Sequence, residues 1–232
     1  MPKHMSCEEP KVPCDLIKFE FPLQQLAARL KRNSRPTIVA IGSSSTVGVG
    51  GHIPYPTSLE KRLREKLSST SIRVINKGVS GQEAPDELAR FGRDVFGEDP
   101  ATVIWQVGTN AAWKGYDLDE VTLAIERGVE KIRKQTASDL ILLDLQYAPA
   151  LLRPEALVSA NTLVSRIERI ARDYKVNVFR RFSLMWYLKE VLDIPFSQMI
   201  SADDPDQLHQ SDWSYNVLSR EMAASIIEAL SL

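Results

Sequence analysis

The chain has 232 residues, a formal net charge of −1, and charged residues of both signs that make up 25% of the sequence. This balance argues against a nucleic-acid-binding surface and against a polybasic membrane patch. The longest apolar run, at residues 140–145, is interrupted by Asp144, so no membrane span is expected. A hydrophobic content of 44% predicts a globular protein with a substantial core.

The first residues give two opposite indications of compartment. Residues 1–9 lack the apolar stretch of a signal peptide, but Lys3-His4-Met5 is also what a cloning remnant in place of a removed leader looks like. Cys7 and Cys14 are either two unpaired thiols or a short disulfide loop. The expectation is a periplasmic or secreted protein if a leader was removed and the cysteines pair, and a cytoplasmic one otherwise.

Strand and helix patterns alternate along the chain. Residues 1–35 are predicted to be an N-terminal extension whose helix packs on a single domain at 36–232. Because the connections between strands have helical length, we predict a five-stranded parallel sheet with helices on both faces. The predicted strands are 37–41, 72–76, 102–107, 140–146 and 176–179, and the predicted helices are 21–31, 58–67, 85–91, 117–134, 155–174, 182–191 and 215–230.

The first strand runs directly into a loop of small polar residues, Gly42 to Gly51. Ligands of open α/β sheets bind at this carboxyl end of the strands. A phosphate-binding P-loop would need a lysine that is absent, a dinucleotide fingerprint would need glycine at Ile53, and a nucleophile elbow would need glycine at Thr46. What remains is a serine that enters a helical turn, where free N–H groups stabilise negative charge.

A serine nucleophile needs a base, and the chain has three histidines. His4 lies in the N-terminal tail, and His52 has no acid at a fixed spacing. His209 follows Asp206 by three residues, so one short loop can deliver an imidazole and the carboxylate that orients it. The alternative is that Asp206 is a turn residue and His209 a surface histidine. Two further small-residue loops, Ser80-Gly81 and Gly108-Thr109-Asn110, follow the second and third strands.

Together these blocks resemble the SGNH hydrolase (GDSL esterase/lipase) superfamily. The matching segments are a serine block at 41–46, a glycine block at 76–81, an asparagine block at 108–110 and an Asp-x-x-His block at 206–209. The resemblance extends from residue 37 to the C-terminus. It implies a single-domain, three-layer α/β/α sandwich of flavodoxin-like type, and it makes 36–232 an SGNH hydrolase domain.

The resemblance also implies residue roles. Ser44 would be the nucleophile, His209 the general base and then acid, and Asp206 the residue that orients His209. The oxyanion would be held by the backbone N–H groups of Ser44 and Gly81 and by the side-chain amide of Asn110, with no metal or cofactor. The family's usual Gly-Asp-Ser-Leu is here Gly42-Ser43-Ser44-Ser45, and the replacement of that aspartate by Ser43 bears on loop rigidity and substrate preference.

Amide and aromatic side chains near the strand ends are candidates for binding a sugar-like substrate, although each could equally be ordinary packing. They are Gln82, Gln146, Tyr147 and Trp213, with Trp113 beside them, whereas Trp105 is expected in the core.

The predicted function is a serine esterase that cleaves small or carbohydrate-borne acyl esters, such as acetyl esters, through an acyl-enzyme. The chain lacks a lid-length helical segment, which favours short acyl groups over triglycerides. Two alternatives stay open: an acyltransferase of the same fold that uses a sugar hydroxyl as acceptor, and a non-catalytic carbohydrate-binding protein.

Overall fold

The computed structural model describes residues 10–32, 34–68 and 71–230. Five parallel strands form one sheet in the order β2-β1-β3-β4-β5, which is the order of flavodoxin-like folds. This confirms the predicted parallel sheet. The strands are β1 (Thr37–Gly42), β2 (Arg73–Gly78), β3 (Thr102–Gln106), β4 (Asp139–Leu143) and β5 (Asn177–Phe179).

Helices follow every strand. Within the described residues they are α1 (Cys14–Ile17), α2 (Gln24–Lys31), α3 (Ser44–Val47), α4 (Tyr55–Lys66), α5 (Ala84–Ala89), α6 (Phe91–Asp94), α7 (Thr109–Lys114), α8 (Leu118–Gln135), α9 (Pro154–Tyr174), α10 (Arg181–Trp186), α11 (Phe196–Met199) and α12 (Asp212–Ala229). A π-helical turn, Tyr187–Val191, continues α10. None of these helices is long and apolar enough to cross a membrane.

The helices form a layer on each face of the sheet. Helices α4 and α12 pack together in one layer, whereas α5, α8 and α9 contact one another in the other. The apolar positions predicted for α4 explain its place, because Leu59 and Leu63 are fully buried. The three-layer α/β/α sandwich is therefore confirmed.

The short helices α3 and α7 were not predicted as separate elements, and each begins directly where a central strand ends. Gly78, at the end of β2, is what allows α3 to lie against the sheet. A Cβ on Gly78 would lie 2.2 Å from the backbone nitrogen of Val47. The backbone of α3 therefore approaches β2 more closely than any other residue at position 78 permits.

The N-terminal segment from residue 10 is held to the sheet by hydrogen bonds. The carboxylate of Asp139 accepts the backbone N–H groups of Gln25 and Leu26 at the start of α2. Asn177 exchanges two hydrogen bonds with the backbone of Phe21. Cys14 is exposed, and Cys7 lies outside the described residues, so both alternatives for these cysteines, unpaired thiols or a short disulfide loop, stay predictions.

Candidate active site

Ser44 and His209 are 165 residues apart in the chain and in contact in the structure. Ser44 is the first residue of α3, directly after β1, and is 8% exposed. Its Oγ lies 3.0 Å from Nε2 of His209, which is within hydrogen-bond distance. A serine hydroxyl so placed can transfer its proton to the imidazole.

The other ring nitrogen of His209 faces Asp204, not Asp206. Nδ1 of His209 lies 3.0 Å from Oδ2 of Asp204, and this oxygen also accepts the backbone N–H groups of Leu208 and His209, each at 2.7 Å. Burial raises the pKa of Asp204, but the hydrogen bonds from His209 and Leu208 outweigh it and hold the pKa below its usual value. Asp204 is therefore a carboxylate at neutral pH.

The expected contact of Asp206 with His209 is absent in this geometry, and Asp204 makes it instead. Asp206 is exposed, and its backbone N–H donates to the side chain of Asp204. A tight turn explains the difference: Gln207 has a left-handed φ of 52°, and its N–H donates to the carbonyl of Asp204. The turn directs Asp206 outward and brings Asp204 beneath the imidazole.

The neighbours of Ser44 have other partners. Oε1 of Gln106, at the end of β3, accepts both the backbone N–H and the hydroxyl of Ser43, at 3.0 and 2.9 Å. The hydroxyl of Ser45 donates to Oε1 of Gln146. Of the three adjacent serines, Ser44 is therefore the one that contacts His209. Ser43, which stands where the family usually has aspartate, anchors the loop to Gln106 without a charge.

The predicted oxyanion loops flank α3. Gly81 is exposed with a left-handed φ of 81°, and a Cβ there would meet no atom within 4 Å. Asn110, in the first turn of α7, uses one Nδ2 hydrogen to donate to the carbonyl of Gln82 at 2.8 Å, which leaves the second available. The backbone N–H of Ser44 lies in the first turn of α3, where helical N–H groups have no partner within the helix.

A buried carboxylate that the sequence reasoning missed joins these loops. Glu83 accepts the backbone N–H groups of Gly108 at 2.8 Å and Ala111 at 2.9 Å, and it also caps α5 through Ala84. Burial raises the pKa of Glu83, while these backbone donors lower it. Glu83 thus fixes the loop of Asn110 relative to the loop of Gly81. The only signal in the sequence is its position two residues after Gly81.

The predicted amide candidates for substrate binding have hydrogen-bond partners within the protein. Gln146 is fully buried and links Ser45 to the carbonyl of Leu208, so it holds two catalytic loops together and cannot contact a ligand in this structure. Gln82 accepts a hydrogen bond from Arg90. The predicted binding role of Gln146 is therefore wrong.

The aromatic candidates lie elsewhere on the molecule. The hydroxyl of Tyr147 donates to Glu190, and its ring lines a surface cavity of about 400 Å³ with Phe182. Trp213 lies in the first turn of α12, half-buried against the core. Trp113 lines a different surface cavity at the end of α7. Trp105 is fully buried and donates to Glu87, as expected for a core residue.

A small cavity of about 190 Å³ adjoins His209. It is lined by Val49, Gly50, Ser201, Asp203, Asp204 and His209. None of the predicted substrate residues is among them. The sequence reasoning missed Ser201, which carries no recognisable spacing to the other blocks.

This sheet order, with a serine at the end of β1 against a histidine from the C-terminal loop, defines the SGNH hydrolase class, which confirms the predicted resemblance. The chain belongs to the non-GDSL lipase-like family, whose model matches residues 7–232. The predicted enzyme class, an SGNH-type ester hydrolase, agrees with this family. The match includes most of the predicted N-terminal extension, and the boundary at residue 36 stays a prediction.

Similar proteins include ester hydrolases. An acetylxylan esterase of Geobacillus stearothermophilus is 36% identical over 77 residues, and the match covers 33% of this chain and 33% of that protein. A solved acetylxylan esterase structure from that organism has a TM-score of 0.68 at 21% identity, covering 82% of this chain and 94% of its own. A lipase/acylhydrolase from Enterococcus faecalis has a TM-score of 0.67 at 24% identity, with 82% and 95% covered.

Proposed function

We propose that this protein is a serine esterase that hydrolyses short acyl esters, above all acetyl esters of carbohydrate alcohols, through an acyl-enzyme. The observation that carries the proposal is the 3.0 Å contact between Ser44 Oγ and His209 Nε2, with Asp204 on the opposite ring nitrogen. The acetyl and carbohydrate parts of the proposal come from the acetylxylan esterases to which the chain is similar.

In the first half of the reaction, His209 accepts the proton of Ser44 as Oγ forms a bond to the ester carbonyl carbon. The carbonyl oxygen becomes an oxyanion, which the N–H groups of Ser44 and Gly81 and the free amide hydrogen of Asn110 stabilise. The bond to the alcohol oxygen then breaks, and His209 gives its proton to that oxygen. Asp204 stabilises the imidazolium between these two transfers.

In the second half, water replaces the alcohol. His209 accepts a proton from the water as its oxygen attacks the acyl carbon, and the same donors stabilise the second oxyanion. Collapse breaks the bond to Ser44, returns the proton from His209 to Oγ and releases the carboxylic acid. The net reaction consumes one ester and one water molecule and releases one alcohol and one carboxylic acid.

Solved variants of the Geobacillus acetylxylan esterase support a serine, histidine and aspartate mechanism, since those described as catalytic mutants replace these three residue types. In that enzyme the replaced aspartate and histidine are three positions apart, which is the spacing of Asp206 and His209. We assign the orienting role to Asp204 because it, and not Asp206, contacts the imidazole.

The test is labelling with a fluorophosphonate, which modifies activated serines, followed by peptide mass spectrometry and by assays of acetate release. We expect one adduct, on Ser44, and loss of labelling and turnover in Ser44→Ala. Ser165→Ala is the control, because it removes an exposed hydroxyl whose partner is the carbonyl of Asn161 within α9. Labelling that survives in Ser44→Ala, or a wild-type protein that neither labels nor hydrolyses an ester, contradicts the proposal.

A further inference from the structure

A second serine, histidine and aspartate lie beside the catalytic group. Nε2 of His52 is 2.8 Å from Oγ of Ser201, and Nδ1 of His52 is 3.1 Å from Oδ2 of Asp212. Ser201 is 8% exposed, and the side chain of His52 is 18% exposed. The mechanism above uses none of these three residues.

This second group connects the loop after α3 to the loop that carries His209. The backbone N–H of Ser201 donates to the carbonyl of His209 at 2.9 Å, so the two residues lie side by side. Asp212 also accepts the backbone N–H of Ile53 at 3.1 Å. The hydrogen bond from His52 and the backbone contact hold the pKa of Asp212 below its usual value, so it is ionised at neutral pH.

Ser201 is not arranged as a second nucleophile. It follows the C-terminal end of α11, where helical carbonyl groups disfavour an alkoxide. Its own backbone N–H is occupied by the carbonyl of His209, so this N–H cannot serve as an oxyanion donor. A hydroxyl has one hydrogen and two lone pairs, and the contact with His52 uses only part of this capacity.

The cavity at Ser201 adjoins His209. His209 gives its proton to the alcohol oxygen, so the rest of the alcohol is next to the imidazole, whereas the carbonyl oxygen faces Gly81 and Asn110. The cavity of about 190 Å³ is lined by both Ser201 and His209. It is smaller than the roughly 300–1,000 Å³ of pockets that enclose whole drug-sized ligands, and therefore suits one small group.

We propose that Ser201, oriented by His52 and Asp212, binds the alcohol part of the ester and selects alcohols that carry further hydroxyl groups. This inference rests on the proposed function. With Nδ1–H of His52 directed to Asp212, Nε2 accepts the hydrogen of Ser201, and the lone pairs of Oγ face the cavity as acceptors for a substrate hydroxyl. An alcohol without such a hydroxyl gains nothing from this contact.

The experiment compares two acetyl esters, a monoacetylated methyl pyranoside and phenyl acetate. Both form the same acetyl-enzyme, so they differ only in the alcohol that leaves. The measured quantity is the ratio of kcat/KM for the pyranoside ester to kcat/KM for phenyl acetate. We expect Ser201→Ala to lower this ratio about tenfold, the effect of one hydrogen bond. Ser201→Thr, which keeps the hydroxyl, should retain most of the ratio, and His52→Gln should lower it.

Other outcomes separate this inference from the proposed function. If Ser201→Ala reduces kcat/KM for both esters by one common factor, or changes neither, the second group only fixes the loop of His209 and the inference is overturned. A wild-type protein that hydrolyses phenyl acetate but not the pyranoside ester also overturns it, while the esterase function stands. A wild-type protein inactive on both esters and unlabelled by fluorophosphonate overturns both.

Discussion

Nδ1 of His209 contacts a carboxylate five residues before it in the chain, although the Asp-x-x-His motif begins with an aspartate three residues before it. The carboxylate of Asp204 accepts four hydrogen bonds from the segment that ends at His209, and its side chain is 8% exposed. Asp206 is on the surface of the same turn. At the scale of single residues, a turn with one left-handed position determines which of two nearby aspartates contacts His209.

Replacing Asp204 by asparagine should reduce kcat by a factor of about 10²–10⁴, because the imidazolium loses its counter-charge and the ring its orientation. Asp206→Asn is the matched control, with an expected change in kcat of less than about threefold, as for most exposed positions. The measurement is steady-state hydrolysis of an aryl acetate by both variants and the wild type. A larger loss of kcat in Asp206→Asn than in Asp204→Asn would contradict the proposal and assign the orienting role to Asp206.

Asn110→Ala should reduce kcat by about 10²–10³, the usual cost of removing one oxyanion donor. The loss should appear in kcat rather than in KM, because the contact forms when the carbonyl oxygen becomes charged. Steady-state kinetics give both values, and thermal unfolding checks that the loop remains folded. An unchanged kcat would mean that Asn110 serves only to hold the carbonyl of Gln82.

At the scale of elements, the position of α3 depends on its contact with the end of β2. Asn76 donates to the carbonyl of Thr46 at 2.8 Å, and Gly78 leaves room for the backbone of Val47. The glycine block at 76–81 therefore does more than supply the proposed oxyanion donor, Gly81. It determines how the helix that carries Ser44 lies on the sheet.

Gly78→Ala should destabilise the fold by about 1–3 kcal/mol, a typical cost of overpacking. It should also lower kcat, because α3 must move away from β2 and takes Ser44 with it. Gly92→Ala is the control: a Cβ at Gly92, within α6, would meet no atom within 4 Å, and alanine favours helix. Denaturant unfolding measures the change in stability, and ester hydrolysis measures the change in kcat. Equal stability and equal kcat in the two variants would contradict the close packing of α3 against β2.

At the scale of the whole molecule, buried charged residues connect the segments that follow β4 and β5. Arg181 is fully buried and donates from Nε and Nη2 to the carbonyl of Asp144, at the end of β4. The carboxylate of Asp144 accepts the backbone N–H of Phe182 at 2.9 Å. Burial raises the pKa of Asp144 to about 7, although the N–H of Phe182 and the charge of Arg181 lower it.

The raised pKa of Asp144 predicts a dependence of stability on pH. Because the folded protein holds this proton more tightly than the unfolded chain, whose aspartates titrate near about 4, the contribution is complete below pH ~4 and is lost as pH rises towards 7. Between these values the free energy of unfolding should fall by about 1 kcal/mol per pH unit relative to Asp144→Asn. Denaturant unfolding of both proteins across this pH range measures the difference. The same dependence of the free energy of unfolding on pH in both proteins would contradict the raised pKa of Asp144.

The parallel sheet is predictable from the sequence alone, because apolar runs joined by helical connections have few other ways to bury both faces of their strands. The sequence also singled out Ser44, Gly81, Asn110 and His209, since each lies in a small-residue loop where a strand ends or in the loop before the last helix. The contact of His209 with Asp204 rather than Asp206, and the full burial of Gln146, are visible only in the folded chain. The tertiary structure also brought His52, Ser201 and Asp212 together. Residue spacing predicts which side chains lie together within one helix, strand or loop. Contacts between loops depend on turn conformation and packing, and no local pattern of residues predicts these.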